Sequence, residues 1–356
     1  TPKMSATTQK VVSATNNKKS KQTKLVVKQT QKWSTTQKVL FGVGAGIAAF
    51  GLGAYLIAPY TECSPDLNTH RGGDRENLFR TGAGVHLQSY YWWHDQPVGI
   101  VFIAHGLHEH LGRYQYVAEY LNANGYSVVG IDHQGHGKSD GDFGYVEHFS
   151  NFVSDYIEFV EYVLSKEKRH HALPRFLIGH SMGGCIALHI AKKKPDLFNG
   201  IVLSAPAIMP NPDVATPFLR SISSSASSNL PKLPLIKLDV NALSRDPNVV
   251  QDAIDDPLYN SGGMRCRTAN ELLIAMDQVQ QFYSQLVTPM LILHGKQDTL
   301  AEWQGSQQLY ERAAAKSKKI HLYEQMYHEL FNEPEKDQVL ACVSRWFHEQ
   351  IKANSQ

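Results

Sequence analysis

Acidic residues are absent before Glu62, charge of either sign is absent from Val39 to Ala58, and no Asn-x-Ser/Thr triplet occurs anywhere in the 356 residues. Cysteine is scarce: the four, at 63, 185, 266 and 342, are too scattered for any metal-ligand spacing. That excludes a structural zinc module and a disulfide framework, although pairing among Cys63, Cys266 and Cys342 stays open for an oxidising compartment. A basic excess is also missing from the body of the chain. Nine of the 35 Lys and Arg residues lie within the first 38 positions, which leaves 26 against 33 acids, a net of −7. With no basic face, the folded part is not expected to bind nucleic acid.

The first 38 residues are rich in Lys, Thr, Ser and Gln and nearly free of aromatics. They cannot bury enough apolar surface to offset chain entropy and are expected to form a disordered basic tail. The uncharged run that follows is about long enough to cross a hydrocarbon core as a helix, so residues 39–60 are expected to be a transmembrane anchor. Five glycines and no polar face suit a buried soluble helix poorly, and the basic region is long for a cleaved signal peptide. Lysines on the N-terminal side alone place the tail in the cytosol and residues 61–356 across the membrane. An organelle-import leader is the competing reading of the same basic, acid-free segment. Gly42 and Gly46 have the spacing of a helix-dimer face, unremarkable in so glycine-rich a run.

What is present is chemically pointed. Phe176-Leu177-Ile178-Gly179-His180-Ser181-Met182-Gly183-Gly184 places one serine between an apolar strand and an alanine-rich helix, with glycines on both sides. This is the pattern of a nucleophile elbow, in which the chain turns sharply and projects the hydroxyl above the sheet edge. The Met182 N–H, at the start of the helix, would face an oxyanion. A serine hydroxyl needs a base to take its proton and a third group to orient that base. Downstream, the strand pattern Pro289-Met290-Leu291-Ile292-Leu293-His294-Gly295 is followed by Asp298, and Lys319-Ile320-His321-Leu322-Tyr323 by His328. Both candidates fall just past strands, in the chain order serine, acid, histidine. Asp298 alone reads equally as a turn residue, and His328 is one of 17 histidines. His294 and His321, inside the apolar runs, are expected to be packed core residues.

Apolar runs alternate with helical patterns in the manner of a mostly parallel sheet with helices on both faces, an α/β fold. Strands are expected near 85–93, 99–104, 126–131, 176–179 and 200–204, and helices at 114–124 and 149–166. From Ala207 to about Gln285 no strand is convincing, a serine-rich segment is followed by a helix-like run from Ala269 to Tyr283, and the region is expected to be a mainly helical cap over the strand ends. After the strand ending at Ala104, His105-Gly106-Leu107-His108-Glu109-His110 offers the Leu107 N–H as second oxyanion donor. Its histidines and Glu109 lack a third strand-end partner for metal binding, and a serine mechanism needs no metal.

These segments, with Asp132-His133-Gln134-Gly135-His136-Gly137-Lys138-Ser139 and Tyr327-His328-Glu329-Leu330-Phe331-Asn332-Glu333, punctuate residues 75 to 350. Together they resemble the monoacylglycerol lipases of the α/β-hydrolase superfamily. The resemblance implies a triad of Ser181, Asp298 and His328, an oxyanion hole at Leu107 and Met182, no cofactor, and a lipid ester substrate. It also implies a short cap that admits a lipid chain and rests on membranes. Two departures stand out: His108, where the family often has a small residue, and the N-terminal anchor. A lysophospholipase or broad carboxylesterase is the alternative, with Arg265 and Arg267 as phosphate contacts; a catalytically inactive binding protein is the third reading.

Overall fold

The computed structural model describes residues 77–166, 168–212 and 215–354. The basic tail, the candidate anchor at 39–60 and Cys63 lie outside the described residues. Among the described residues no helix is long and apolar enough to cross a membrane.

Eight strands form one sheet: β1 (Leu78–Arg80), β2 (His86–Trp92), β3 (Gly99–Ala104), β4 (Tyr126–Ile131), β5 (Arg175–His180), β6 (Gly200–Ser204), β9 (Met290–Gly295) and β10 (Lys318–Tyr323). Two short strands, β7 (Pro234–Ile236) and β8 (Met264–Arg265), pair outside it. The sheet order is β1-β2-β4-β3-β5-β6-β9-β10, antiparallel through β2 and parallel from β4 to β10. The helices are α1 (Gln115–Ala123), α2 (Phe149–Lys166), α3 (Met182–Lys193), α4 (Pro217–Asn229), α5 (Pro247–Asp255), α6 (Cys266–Phe282), α7 (Trp303–Arg312) and α8 (Lys336–Asn354).

The central strands are apolar on both faces because both faces are covered. Side chains alternate across a strand, so Ile100, Phe102 and Ala104 of β3 pack in one layer with α2 and α3. Val101 and Ile103 pack in the other with Val117 and Leu121 of α1 and Trp346 and Phe347 of α8. Phe347 stacks on Phe176 of β5 with ring centroids 4.3 Å apart. Each such side chain, fully buried, stabilises by about 1.5–3 kcal/mol.

The chain runs from β3 to β4 on one side and then crosses to β5 on the other. That reversal opens a crevice at the C-terminal ends of β3 and β5, where an open α/β sheet binds its ligand.

The segment between β6 and β9 is an insertion between neighbouring strands that carries α4, α5 and α6. Helix α5 starts where its sequence says it should: Pro247 occupies the first turn, and the Asp246 side chain accepts from Asn248 N–H at 2.9 Å. Helix α6 begins at Cys266, three residues before the expected Ala269. The expectation of no strand here is corrected by the β7–β8 pair, whose lengths of three and two residues are too short for an alternating pattern to be visible. His321 is also corrected. It lies on the edge strand β10, which exposes alternate residues, and points outward instead of into the core. Cys185, Cys266 and Cys342 are free thiols.

Candidate active site

Strand β5 enters helix α3 through Ser181, which has φ 51° and ψ −116°. Few non-glycine residues adopt this backbone, and it costs on the order of 1–3 kcal/mol. The turn is held by bonds on both sides: Ser181 N–H donates to Ser204 O at 3.0 Å, and Ser181 O accepts from Gly184, Cys185 and Ala207 N–H at 2.9, 3.2 and 2.9 Å. A methyl group at Gly183 would run into the Ala104 and His105 carbonyl oxygens, so glycine is what lets α3 lie against the end of β3. As first residue of α3, Met182 has an N–H with no acceptor one turn earlier, and the positive end of the helix reinforces it.

Asp298 sits in the turn after β9, where its Oδ1 accepts from Leu300 N–H at 2.8 Å and Ala301 N–H at 3.1 Å. Its Oδ2 accepts from His328 Nδ1 at 2.6 Å. With Nδ1 protonated toward the carboxylate, the neutral His328 ring carries its lone pair on Nε2. Burial works against the charged forms of both groups. The mutual attraction of the pair overcomes it, raising the His328 pKa above 6.5 and holding Asp298 well below the usual carboxylate range.

His294, expected to be mere core, is a second partner of Asp298. Its Nε2 lies 3.1 Å from Asp298 Oδ2 and 3.2 Å from Ala301 O, two acceptors that require a proton on Nε2, while Nδ1 lies 2.7 Å from the Ser306 hydroxyl. The Asp298 carboxylate is thus saturated by two backbone and two imidazole donors. Only the four-residue spacing from His294 to Asp298 carried a trace of this in the sequence.

The loop after β3 that carries Leu107 is set by groups that the sequence did not point to. His105 Nε2 accepts from His133 N–H at 2.9 Å, so Nδ1 bears the proton and donates to Gly106 O at 2.8 Å. The Gly106 carbonyl and the Leu107 N–H belong to one trans peptide and point in opposite directions. Turning the carbonyl toward His105 turns the Leu107 N–H away from it. Gly106 N–H in turn donates to Glu109 Oε1 at 2.5 Å, which also accepts from Tyr114 Oη at 2.8 Å.

Glu109 shares Arg113 with Glu329, the neighbour of His328. Arg113 binds Glu329 through two hydrogen bonds of 2.5 and 2.8 Å and Glu109 through one of 3.3 Å. Both carboxylates are buried and Arg113 is partly so, and one guanidinium cannot fully neutralise two carboxylates. Burial raises Glu109, which the Glu329 charge reinforces, whereas the closer bidentate contact with Arg113 outweighs burial at Glu329 and lowers it. His105, Glu109 and His110 each have protein hydrogen-bond partners.

Leu107, Ser181 and His328 line one cavity. No hydrogen bond joins the Ser181 hydroxyl to His328 among the described residues; the two share the cavity with the ring of His180, whose centroid is 4.8 Å from that of His328. His180 is kept neutral, its pKa pushed down to about 3 by burial and by His328. The insertion supplies apolar walls, including Ile236, Leu238, Leu243, Met264, Leu272 and Met276, while Glu109, Glu329 and Tyr259 make a polar end. Of the arginines between β6 and β9, Arg220 of α4 lines this space, whereas Arg265 and Arg267 do not. Arg265 donates to Phe143 O and Lys232 O, both at 2.9 Å, and Arg267 pairs with Glu147 at 3.5 Å and Glu271 at 3.8 Å. His108 is buried and is not one of the residues that line the cavity.

Residues 95–335 match the family model described as serine aminopeptidase, S33. The chain is 35% identical over 272 residues to a monoacylglycerol lipase of Mycolicibacterium smegmatis, covering 76% of this chain and 96% of that protein. It is 36% identical over 254 residues to the monoglyceride lipase of Homo sapiens, covering 70% and 82% of the two chains. The crystal structure of a monoacylglycerol lipase from Paleococcus ferrophilus superposes with a TM-score of 0.66 at 29% identity, covering 74% of this chain and 99% of that one.

Proposed function

The chain belongs to the monoacylglycerol lipase family of the α/β-hydrolases, and from that premise we propose that Ser181, His328 and Asp298 are its nucleophile, base and orienting acid. The enzyme hydrolyses the ester bond of monoacylglycerols to fatty acid and glycerol. The observation that carries the reading is the Asp298–His328 hydrogen bond of 2.6 Å set beside a strained Ser181 in an apolar-walled cavity.

In the first step Ser181 Oγ attacks the ester carbonyl and its proton passes to His328 Nε2, while Asp298 stabilises the imidazolium. The oxyanion is received by the Leu107 and Met182 N–H groups, and loss of one such donor costs about 2.7–4 kcal/mol in the barrier. His328 then protonates the departing glycerol oxygen. Water, deprotonated by the same nitrogen, attacks the acyl-enzyme and releases the fatty acid. The apolar wall of the insertion suits the acyl chain, and the polar end suits the hydroxyls of the alcohol.

Fatty-acid release from monoolein, diolein, triolein and lysophosphatidylcholine in one detergent tests this. Preference for monoolein that disappears in Ser181→Ala is expected; preference for the lysolipid would overturn the substrate assignment.

The uncharged stretch 39–58 with lysines on one side supports a single-pass anchor, tail in the cytosol and catalytic domain opposite. Exposed Leu230, Ile254 and Ile274 on the insertion support a second, peripheral contact with lipid. Protease treatment of sealed vesicles checks the orientation: the catalytic domain should survive until detergent is added, and digestion without detergent would contradict it.

A further inference from the structure

The loop that carries Leu107 is fastened to the insertion, and we propose that Asp256 is a positioning residue for the oxyanion hole, acting through His110. The proposal rests on the serine-hydrolase reading above.

Three contacts join one cap turn to one loop. Asp256, at the C-terminus of α5, places Oδ2 2.7 Å from His110 Nε2. Asn260 N–H donates to His108 O at 2.8 Å. The Arg113 guanidinium lies 5.4 Å from the centre of the Tyr259 ring. The His110 ring is pinned at both ends. Its Nδ1 accepts from Gly112 N–H at 3.1 Å, so Nε2 bears the proton and donates to Asp256.

The loop needs such fastening. His108, next to the donor Leu107, has φ 69°, a left-handed conformation that a side chain of this size adopts only where its surroundings fix it. The cap bond from Asn260 is made at that residue's carbonyl. From the other side His105 and Glu109 hold Gly106. The Leu107 peptide is therefore clamped between the sheet on one side and the cap turn 256–260 on the other. Neither Asp256 nor His110 lines the cavity, so their effect on the reaction passes through the loop and not through substrate contact. It follows that displacement of the cap turn disassembles the oxyanion hole while leaving Ser181, His328 and Asp298 in place.

A double-mutant cycle tests this with Asp256→Ala, His110→Ala and the pair, and with Asp255→Ala, an exposed neighbour, as control. Each variant is assayed on monoolein for kcat and KM, and for affinity toward a trifluoromethyl ketone that binds as a tetrahedral adduct and toward oleate. Each single change should lower kcat by about ten-fold, less than the roughly 10²–10³ that accompanies removal of a whole donor, with KM held within about two-fold. Ketone affinity should weaken in parallel, oleate affinity should hold, and the double variant should be no worse than His110→Ala. Asp256→Asn, which keeps an acceptor for the His110 N–H, should restore most of kcat. Losses that multiply in the double variant, a change confined to KM, or Asp256→Ala turnover equal to wild type would overturn the proposal. Ser181→Ala run alongside separates the two claims: activity in that variant sinks the serine assignment, whereas an inactive Ser181→Ala beside an unaffected Asp256→Ala sinks the cap coupling alone.

Discussion

In the proposed mechanism the strain at Ser181 and the attraction between His328 and Asp298 serve the same end, a hydroxyl held where a base can reach it. At this scale the pH dependence is decided by sign. His328 is raised above 6.5 because the gain from Asp298 exceeds the cost of burial. A general base must be unprotonated, so the acidic limb of kcat/KM should lie above pH 6.5, with activity falling about ten-fold per unit below it. Asp298→Asn removes the cause of the upward shift; the limb should move to lower pH and kcat should drop by on the order of 10⁴. A limb at or below pH 6.5 in the wild type would contradict the pairing. For stability the two groups act in opposite windows. The raised histidine contributes below its unfolded pKa and loses that contribution as pH rises through the folded value, whereas the depressed aspartate contributes above its unfolded pKa of about 3.9 and loses it as pH falls.

At the scale of elements, the site depends on how closely α3 approaches β3. Gly183 makes that approach possible, and a methyl there meets backbone oxygens that cannot swing aside. Gly183→Ala should destabilise the fold by about 1–3 kcal/mol, lowering the melting temperature by several degrees, and should also reduce kcat because Met182 moves with the helix. An unchanged melting curve would show the contact to be softer than its geometry. The elements most legible in the sequence were those with strong periodicity: β3, β4 and β6 fall at the expected residues, and α1 and α2 within one residue at either end. The β7–β8 pair was not legible, since five residues including a proline show no period. His321 misled for a related reason: an apolar run beside a histidine looks buried until the strand is known to lie at an edge.

Across the whole molecule, the reversal of strand order at β3 and β5 gathers residues separated by more than two hundred positions into one crevice. The chain order of Ser181, Asp298 and His328 and their places after strands were visible beforehand because elbow and strand ends leave local marks. The supporting network was not. His294 on Asp298, Arg113 between Glu109 and Glu329, and Asp256 on His110 are pairings fixed by tertiary contact, and nothing local distinguishes such residues from ordinary surface or core ones. The cavity walls likewise come from an insertion whose weak periodicity conceals which faces turn inward.

Ser181 as the nucleophile is tested by peptide mapping by mass spectrometry after treatment with a fluorophosphonate. One adduct on Ser181, lost in Ser181→Ala and slowed in His328→Ala, is the expected result; an unlabelled protein, or a label on another residue, would contradict it.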